Sequence, residues 1–232
     1  MISILSPTRN RPHLIVRLID SIFDTAANPE DIELSLYIDD DDTSYDDLLN
    51  QDLGIKINHM KGPKIVISDM WNKCYEISNG EILHHASDDF VYRSKDWDVK
   101  VKSHFDRYDD KILLLYGRDG HQDEKLGTLS FVHRNWVEAL GYVVPPYFMV
   151  DWCDNWINDI AKDIGRRVYD PEIYTEHLHW HAGKSELDET YREREAVRQQ
   201  VDSHGLYIQT AHLRLEDVKK LATYIEVRNA HA

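Results

Sequence analysis

The chain has 232 residues, with 27 Lys and Arg against 42 Asp and Glu, a net charge of −15 with histidine neutral. That acidic balance argues against a general nucleic-acid coat or a binder of anionic membranes, since both need surplus cations, though it leaves room for a local basic groove. A hydrophobic content of 42% with 6 Trp and 13 Tyr excludes a disordered chain, and at this length roughly 70–75% of the unfolded surface can be buried without disulfide or metal staples.

Cys74 and Cys153 are the only cysteines and lie far apart, which argues against a disulfide framework and for a reducing compartment. The strongest apolar run, Ile112 to Tyr116, falls far short of the ~20 residues a spanning helix needs. The N-terminus starts as a strand with no basic region before an apolar stretch, so no signal peptide is expected and the expected location is the cytoplasm. No repeat, low-complexity tract or Gly/Ser linker divides residues 1–232. A single domain is expected, with a helical C-terminal tail over 186–232.

Ile2 to Ser6 predicts a strand. Leu14, Ile15, Leu18, Ile19, Ile22 and Phe23 then recur at helical spacing, with Asn10 as the expected cap and Pro12 in the first turn. Ile32, Leu34, Leu36 and Ile38 alternate as in a strand that runs into four carboxylates, Asp39 to Asp42. Ile55 to Met60 predicts a third strand, and Ser68 to Ser78 a helix stopped by Asn79-Gly80. Glu81 to Ala86 predicts a fourth strand, which also runs into acids at Ser87-Asp88-Asp89. This β-α-β-β-α-β order predicts an α/β fold with a mainly parallel sheet flanked by helices. Beyond it the pattern predicts helices over Trp97–Tyr108, Asn135–Leu140 and Asp151–Ile164, and strands over Ile112–Gly117 and Thr128–His133. After Val168 the signal is mixed, and from Glu186 it is charged and helix-prone.

Ligands of open α/β sheets bind beyond the carboxyl ends of the strands. Three strands here end at Pro7-Thr8-Arg9, at Asp39 to Asp42 and at Asp88-Asp89, so a cation-bearing turn and two carboxylate clusters share one rim. Such a rim suits a nucleotide whose phosphates are bridged by a divalent cation. Adjacent carboxylates such as Asp88 and Asp89 repel unless solvent or a cation separates them. The plainer readings are a solvated acidic turn at Asp39–Asp42 and a helix N-cap with a first-turn acid at Asp88-Asp89.

Ser3 to Pro12, with its strand and Pro7-Thr8-Arg9-Asn10-Arg11, resembles the opening of family 2-type glycosyltransferases of the GT-A fold. Tyr37-Ile38-Asp39-Asp40 resembles their second-strand acids, Asn72 with Gly80-Glu81 their Asn…Gly-Glu stretch, and Ala86-Ser87-Asp88-Asp89 their metal motif, in order across residues 1–90. The pattern departs at Ala86, where relatives carry an Asp, and at Arg9, where they carry a Tyr. The resemblance implies Pro7, Thr8, Arg9, Asp39 and Asp88 at a nucleotide sugar and Asp89 on the metal.

The resemblance reaches about residue 190. Phe131 to Gly141 is similar to the segment under the acceptor, and Asp151-Trp152-Cys153-Asp154 to an acidic helix start. Transfer requires a carboxylate to take the acceptor hydroxyl's proton. Trp152 stands where relatives carry the base, so the role falls to Asp151 first and Asp154 second, both expected on one helix face; first-turn acids that merely favour the helix N-terminus are the plainer reading. His177, His179 and His181 alternate, and the resemblance implies a late histidine as a metal ligand, His177 before His179. One imidazole among oxygen ligands favours Mn2+ over Mg2+. Gly183-Lys184 through Tyr191 resembles a tail of phage and bacterial members, so a phage-encoded chain would work in the host cytoplasm. Tyr191 to Gln200 predicts a solvated helix face, and most of the tryptophans predict core.

The expectation is a metal-dependent glycosyltransferase using a nucleotide-diphosphate sugar, a UDP-sugar first, with inversion. Residues 1–100 would hold the donor and 101–185 the acceptor and catalytic groups. A glycan, lipid head group, protein or modified DNA base remain open as acceptors; for DNA, Arg166-Arg167 and Arg192, Arg194 and Arg198 would have to line a groove. The alternatives are a nucleotidyltransferase, disfavoured by the lack of a Gly-rich phosphate loop, and a non-catalytic nucleotide-sugar-binding protein.

Overall fold

The computed structural model describes residues 1–230; the last two residues of the expected tail lie outside the described residues. The strands are β1 (Ile2–Thr8), β2 (Ile32–Asp39), β3 (Lys56–Gly62), β4 (Ile82–His85), β5 (Phe90–Tyr92), β6 (Leu114–Arg118), β7 (Ser130–His133) and β8 (Arg167–His177). They form one eight-stranded sheet in the order β3-β2-β1-β4-β7-β6-β8-β5. The β3-β2-β1-β4 part is parallel. β7 enters antiparallel between β4 and β6, β8 runs parallel to β6, and β5 pairs antiparallel with β8. The helices are α1 (Pro12–Thr25), α2 (Asp46–Leu49), α3 (Ile67–Glu76), α4 (Trp97–Phe105), α5 (Arg134–Leu140), α6 (Cys153–Asp163), α7 (Glu189–Arg198), α8 (Ser203–Gln209) and α9 (Ala211–Asn229). Among the described residues no helix is long and apolar enough to cross a membrane.

The sheet is covered on both faces. Ile2, Ile4, Ile32, Leu34, Leu36 and Ile38 pack on one side against Ile15, Leu18, Ile19 and Ile22 of α1. Leu5, Tyr37 and Leu83 pack on the other against Cys74 of α3 and the apolar faces of α5, α6 and α9. Every position of β1 and β2 is therefore buried, as parallel central strands covered on both faces require. Among the residues buried in this way is a charged one, Glu33. Its carboxylate accepts from Ser3 Oγ at 2.7 Å, Lys56 Nζ at 2.8 Å, Asn58 Nδ2 at 2.9 Å and the Asn79 amide at 2.5 Å, so the ladder's end is clamped by a satisfied network.

Two local expectations are corrected. Asn10 does not cap α1; it sits left-handed at φ 55° and its amide donates to Asp42 Oδ2 at 2.7 Å, while the cap position falls on Arg11. Pro12 does open the helix. Asn79-Gly80 is not the left-handed stop of α3, whose cap is the right-handed Ile77. Gly80 is needed because β1 passes so close that a Cβ there would meet Ser3 Oγ at 2.5 Å and Ser3 N at 2.7 Å.

β5 and β8 are absent from the sequence expectation. β8 contains Asp170-Pro171, which reads as a break. Tertiary pairing overrides it: beyond an irregularity near Gly117, where a Cβ would strike the Ile173 carbonyl at 2.0 Å, the strand continues to His177.

Candidate active site

Asp39 ends β2 and is 2% exposed. Its Oδ2 accepts from Arg9 Nη1 at 2.6 Å, whereas Oδ1 is buried with no partner among the described residues. Burial raises this carboxyl above the usual range, against the pull of Arg9. Asp39 lines a cavity of about 390 Å³ together with Pro7, Thr8, Arg9, Lys64 and Trp71. The rest of the acidic run divides: Asp40 and Asp41 are exposed, while Asp42 folds the turn by accepting from the Asn10 amide and from Ser44 N at 2.9 Å.

Asp88 and Asp89 point into different networks. Asp88 Oδ2 accepts from Thr8 Oγ1 at 2.8 Å and Oδ1 from Arg11 Nη1 at 3.0 Å. Thr8 also meets the Tyr45 hydroxyl at 2.5 Å, and that hydroxyl accepts from the Arg11 amide at 3.0 Å. Asp88 thus ties the turn after β4 to Thr8 of β1 and to Arg11 at the start of α1. Burial raises the Asp88 carboxyl, Arg11 opposes it and the Asp89 carboxylate adds to the rise. Asp89 meets His177 Nε2 at 3.1 Å through Oδ1, which also accepts from Ser87, and its Oδ2 accepts from the Tyr191 hydroxyl. Burial would raise Asp89, but His177, Ser87 and Tyr191 hold it well below the carboxylate range.

The meeting of Asp89 and His177, 88 residues apart, follows from the β5–β8 ladder. Phe90 pairs with His177, and the Leu178 amide donates to the Asp89 carbonyl at 2.7 Å. Beyond it the rings of His177 and His179 lie 5.2 Å apart and those of His179 and His181 5.0 Å. Burial alone would lower His177; the Asp89 carboxylate more than reverses this. His177 Nδ1 is buried without a protein partner, while His179 Nδ1 accepts from the His181 amide.

The expectation that Asp151 and Asp154 share one helix face is corrected. Asp151 precedes α6 and, like Trp152, is left-handed, at φ 55° and 65°. Two such non-glycine residues in succession cost about 1–3 kcal/mol each and are held by neighbours. Arg198 Nε reaches Asp151 Oδ2 at 2.6 Å and Arg194 Nη2 reaches Oδ1 at 3.0 Å; the Trp152 ring lies 4.7 Å from His204 and 4.6 Å from Tyr207. The two arginines keep Asp151 below the usual range despite burial. Asp154, in the first turn of α6, has no cationic partner of its own, accepts from the Asn155 amide at 2.9 Å, and is raised by burial. Both acids line a second cavity of about 200 Å³ with His85, Thr128, His177 and His179.

The largest departure from expectation is α7. Its inner face is a wall of the site: Thr190, Tyr191, Glu193, Arg194 and Val197 line the larger cavity, and Arg194 and Arg198 the smaller. Asp188 caps the helix and takes Arg11 at 2.7 Å, Thr190 Oγ1 donates to the Arg9 carbonyl at 3.1 Å, and Arg11 lies 4.0 Å above the Tyr191 ring. Trp71, Ile67, Ser87 and Arg194 line both cavities, so these adjoin. Of the five arginines expected to line a groove for DNA, four are engaged separately: Arg166 pairs with Asp110, Arg167 with Asn158, and Arg194 and Arg198 with Asp151, while Arg192 is exposed on α7.

Among the described residues, no group of three or more His, Cys, Asp or Glu side chains is arranged to hold a metal ion. The site offers a pair instead, the Asp89 carboxylate and the His177 imidazole. This donor set fits a divalent cation that takes its other ligands from water and phosphate oxygens.

No family model matches the chain, and no curated protein matches it at a significant level. Solved structures do match. The mannosyltransferase PcManGT from Pyrobaculum calidifontis, in complex with GDP-Man and Mn2+, is similar over 99% of this chain and 86% of its own, with a TM-score of 0.60 and 14% identity. S. aureus TarS 1–349 in complex with UDP-GlcNAc is similar over 83% of this chain and 63% of its own, with a TM-score of 0.56 and 14% identity. The same protein with UDP gives 75%, 59% and a TM-score of 0.55. With a mixed sheet flanked by helices on both faces and acids at its carboxyl rim, the chain has the GT-A fold of glycosyltransferases.

Proposed function

We propose that the protein is a metal-dependent glycosyltransferase that moves a sugar from a nucleotide-diphosphate sugar, a UDP-sugar first, to an acceptor hydroxyl with inversion. The observation that carries this reading is the convergence of Asp39, the Asp89–His177 pair and Asp154 on two adjoining cavities at the sheet's carboxyl rim. The similar proteins whose structures hold GDP-Man with Mn2+ or UDP-GlcNAc support it.

In this reading the larger cavity takes the nucleotide. Pro7 and Arg9 border it, and Asp39 Oδ1, buried and unpartnered, accepts from the nucleotide. Thr8 and Asp88 border it too, but their polar atoms hold the rim's shape. Asp89 and His177 would hold a divalent cation, Mn2+ before Mg2+ because of the imidazole; when bound it supplies charge to stabilise the departing diphosphate. Arg194, shared by both cavities, adds protein charge at the same junction.

The base role falls to Asp154 before Asp151. A carboxyl raised by burial and free of a cation takes a proton more readily than one held low by two arginines. Asp154 removes the acceptor hydroxyl's proton as its oxygen attacks the anomeric carbon, and the bond to the diphosphate oxygen breaks on the opposite face. In this reading the division into a donor half, 1–100, and an acceptor half, 101–185, is amended: α7, Met149 and Val150 also wall the larger cavity, and His177 joins Asp89.

The test is thermal stabilisation by UDP, GDP, CDP, ADP and dTDP, each with and without Mn2+. One nucleotide should raise Tm, and the rise should need Mn2+. No rise with any of them sinks the reading.

A further inference from the structure

His84 and His85 stand side by side at the end of β4 and show two fates of a buried imidazole. His84 Nδ1 bonds the Tyr92 hydroxyl at 2.7 Å, and its ring stacks on Phe131 at 3.9 Å; it lines neither cavity of the site. His85 faces the other side of the sheet, is 2% exposed, and neither of its ring nitrogens has a partner among the described residues. It lines the smaller cavity. Its ring is fixed edge-on against Trp71, 4.2 Å between centroids, and Trp71 is itself pinned by an Nε1 bond to the Ala86 carbonyl at 2.6 Å.

We propose that His85 is a specificity-determining residue that reads hydroxyl groups of a sugar ring seated in the smaller cavity. The proposal rests on the glycosyltransferase reading in setting that ring beside the nucleotide site. Burial drives His85 down to about 3, so the imidazole is neutral at physiological pH and presents one N–H donor and one lone pair. A phosphate or carboxylate only accepts and leaves the lone pair unanswered; an ammonium only donates. Hydroxyls do both, and a polyol ring carries several at fixed spacing. A cavity of about 200 Å³ matches a single sugar ring rather than a nucleotide. Trp71 adds an apolar surface for the ring's C–H face, and Asp154 stands on the same cavity wall. The ring belongs either to the transferred sugar of the donor or to a sugar acceptor.

Two variants and two sets of probes test this. His85→Phe keeps a planar ring and removes both polar atoms; His85→Gln restores one donor and one acceptor. Affinities are measured for UDP, UDP-GlcNAc, GDP and GDP-mannose with Mn2+, and for the methyl glycosides of glucose, mannose and N-acetylglucosamine by saturation-transfer NMR. A site built to pair a hydroxyl loses about tenfold or more when its own group is removed. If the donor sugar is read, His85→Phe loses that factor for the sugar nucleotide and keeps the nucleoside diphosphate, with partial rescue in His85→Gln. If an acceptor sugar is read, donor binding stays intact and methyl-glycoside binding falls. Methyl-glycoside binding that depends on His85 without any nucleotide binding would sustain this inference while the donor reading fails. Sugar-probe affinities equal in His85→Phe and wild type overturn it, as does a wild-type protein that binds no methyl glycoside and no sugar nucleotide more tightly than its nucleotide. Should His85→Phe not fold, 1H–15N spectra of the wild-type ring nitrogens decide, because His85 must shift on adding the sugar probe that binds.

Discussion

The rim formed by β1, β2 and β4 and the helix α7 that walls it reach the same cavity by different means. On the rim the ladders bring the strand ends together, and side-chain bonds such as those of Thr8 and Arg11 to Asp88 fix the groups just beyond them. α7 is held to the rim by side chains: Asp188 on Arg11, Thr190 on the Arg9 carbonyl, Tyr191 on Asp89, and Arg194 and Arg198 on Asp151. The rim thus keeps its hydrogen-bonded backbone frame when a side chain such as Asp89 is exchanged, whereas α7 has no ladder to the rim and is held there by these side-chain ties. The site is therefore half scaffold and half latch, and substitutions should separate the two.

The largest expected effect is on the rim. Asp89→Ala should leave the ladders standing and lower metal-dependent donor turnover by about 10³-fold or more, since the charge facing the diphosphate is lost; full turnover in the variant would remove Asp89 from the site. Next come the two acids beside α6. Asp154→Asn should cut kcat by about 10²–10⁴-fold with donor affinity kept. Asp151→Asn frees Arg194 and Arg198 and should act on donor KM more than on kcat, because it loosens α7. Equal kcat losses for both would erase the distinction between base and tie.

Arg11 joins the two regions, reaching Asp88 on one side and Asp188 on the other. Arg11→Met leaves Asp88 buried and uncompensated, which should cost about 3–5 kcal/mol in urea unfolding; a cost near zero would mean that Asp88 is held by Thr8 alone. The smallest effect lies at the opposite, amino end of the sheet, at Glu33. Burial would raise this carboxyl, but Lys56, the Asn79 amide, Ser3 and Asn58 bring it from 4.5 to about 2. A folded pKa below the unfolded one stabilises fully above about pH 4.5, and the stabilisation fades as pH falls toward 2, amounting to about 3 kcal/mol. Wild type should therefore show a steeper acid loss of stability than Glu33→Gln across that window; parallel curves would contradict the network.

How far the sequence was legible follows the same division. Hydrophobic runs ending in Thr8-Arg9, Asp39 and Asp88-Asp89 mark the rim, because strand periodicity and polar strand ends are local properties. The resemblance to GT-A enzymes in residues 1–90 agrees with the fold. Tyr191, Arg194 and Arg198 were not legible as site residues. In a segment this rich in Arg and Glu, a helix face turned to a polar cavity has the same composition as one turned to water. His85 was equally hidden, since nothing local distinguishes it from His84.

Short-range pattern in the sequence therefore marks β1 to β4, α1 and α3, the acidic rim and the alternating histidines, but neither α2 nor β5. Only the tertiary structure decided that β8 runs through Asp170-Pro171 to bring His177 onto Asp89, that Asp151 turns left-handed toward two arginines while Asp154 faces the cavity, and that α7 walls the site. These contacts join residues tens to nearly two hundred positions apart, and their existence depends on packing and pairing free energies summed over the whole sheet, which no window of the chain contains.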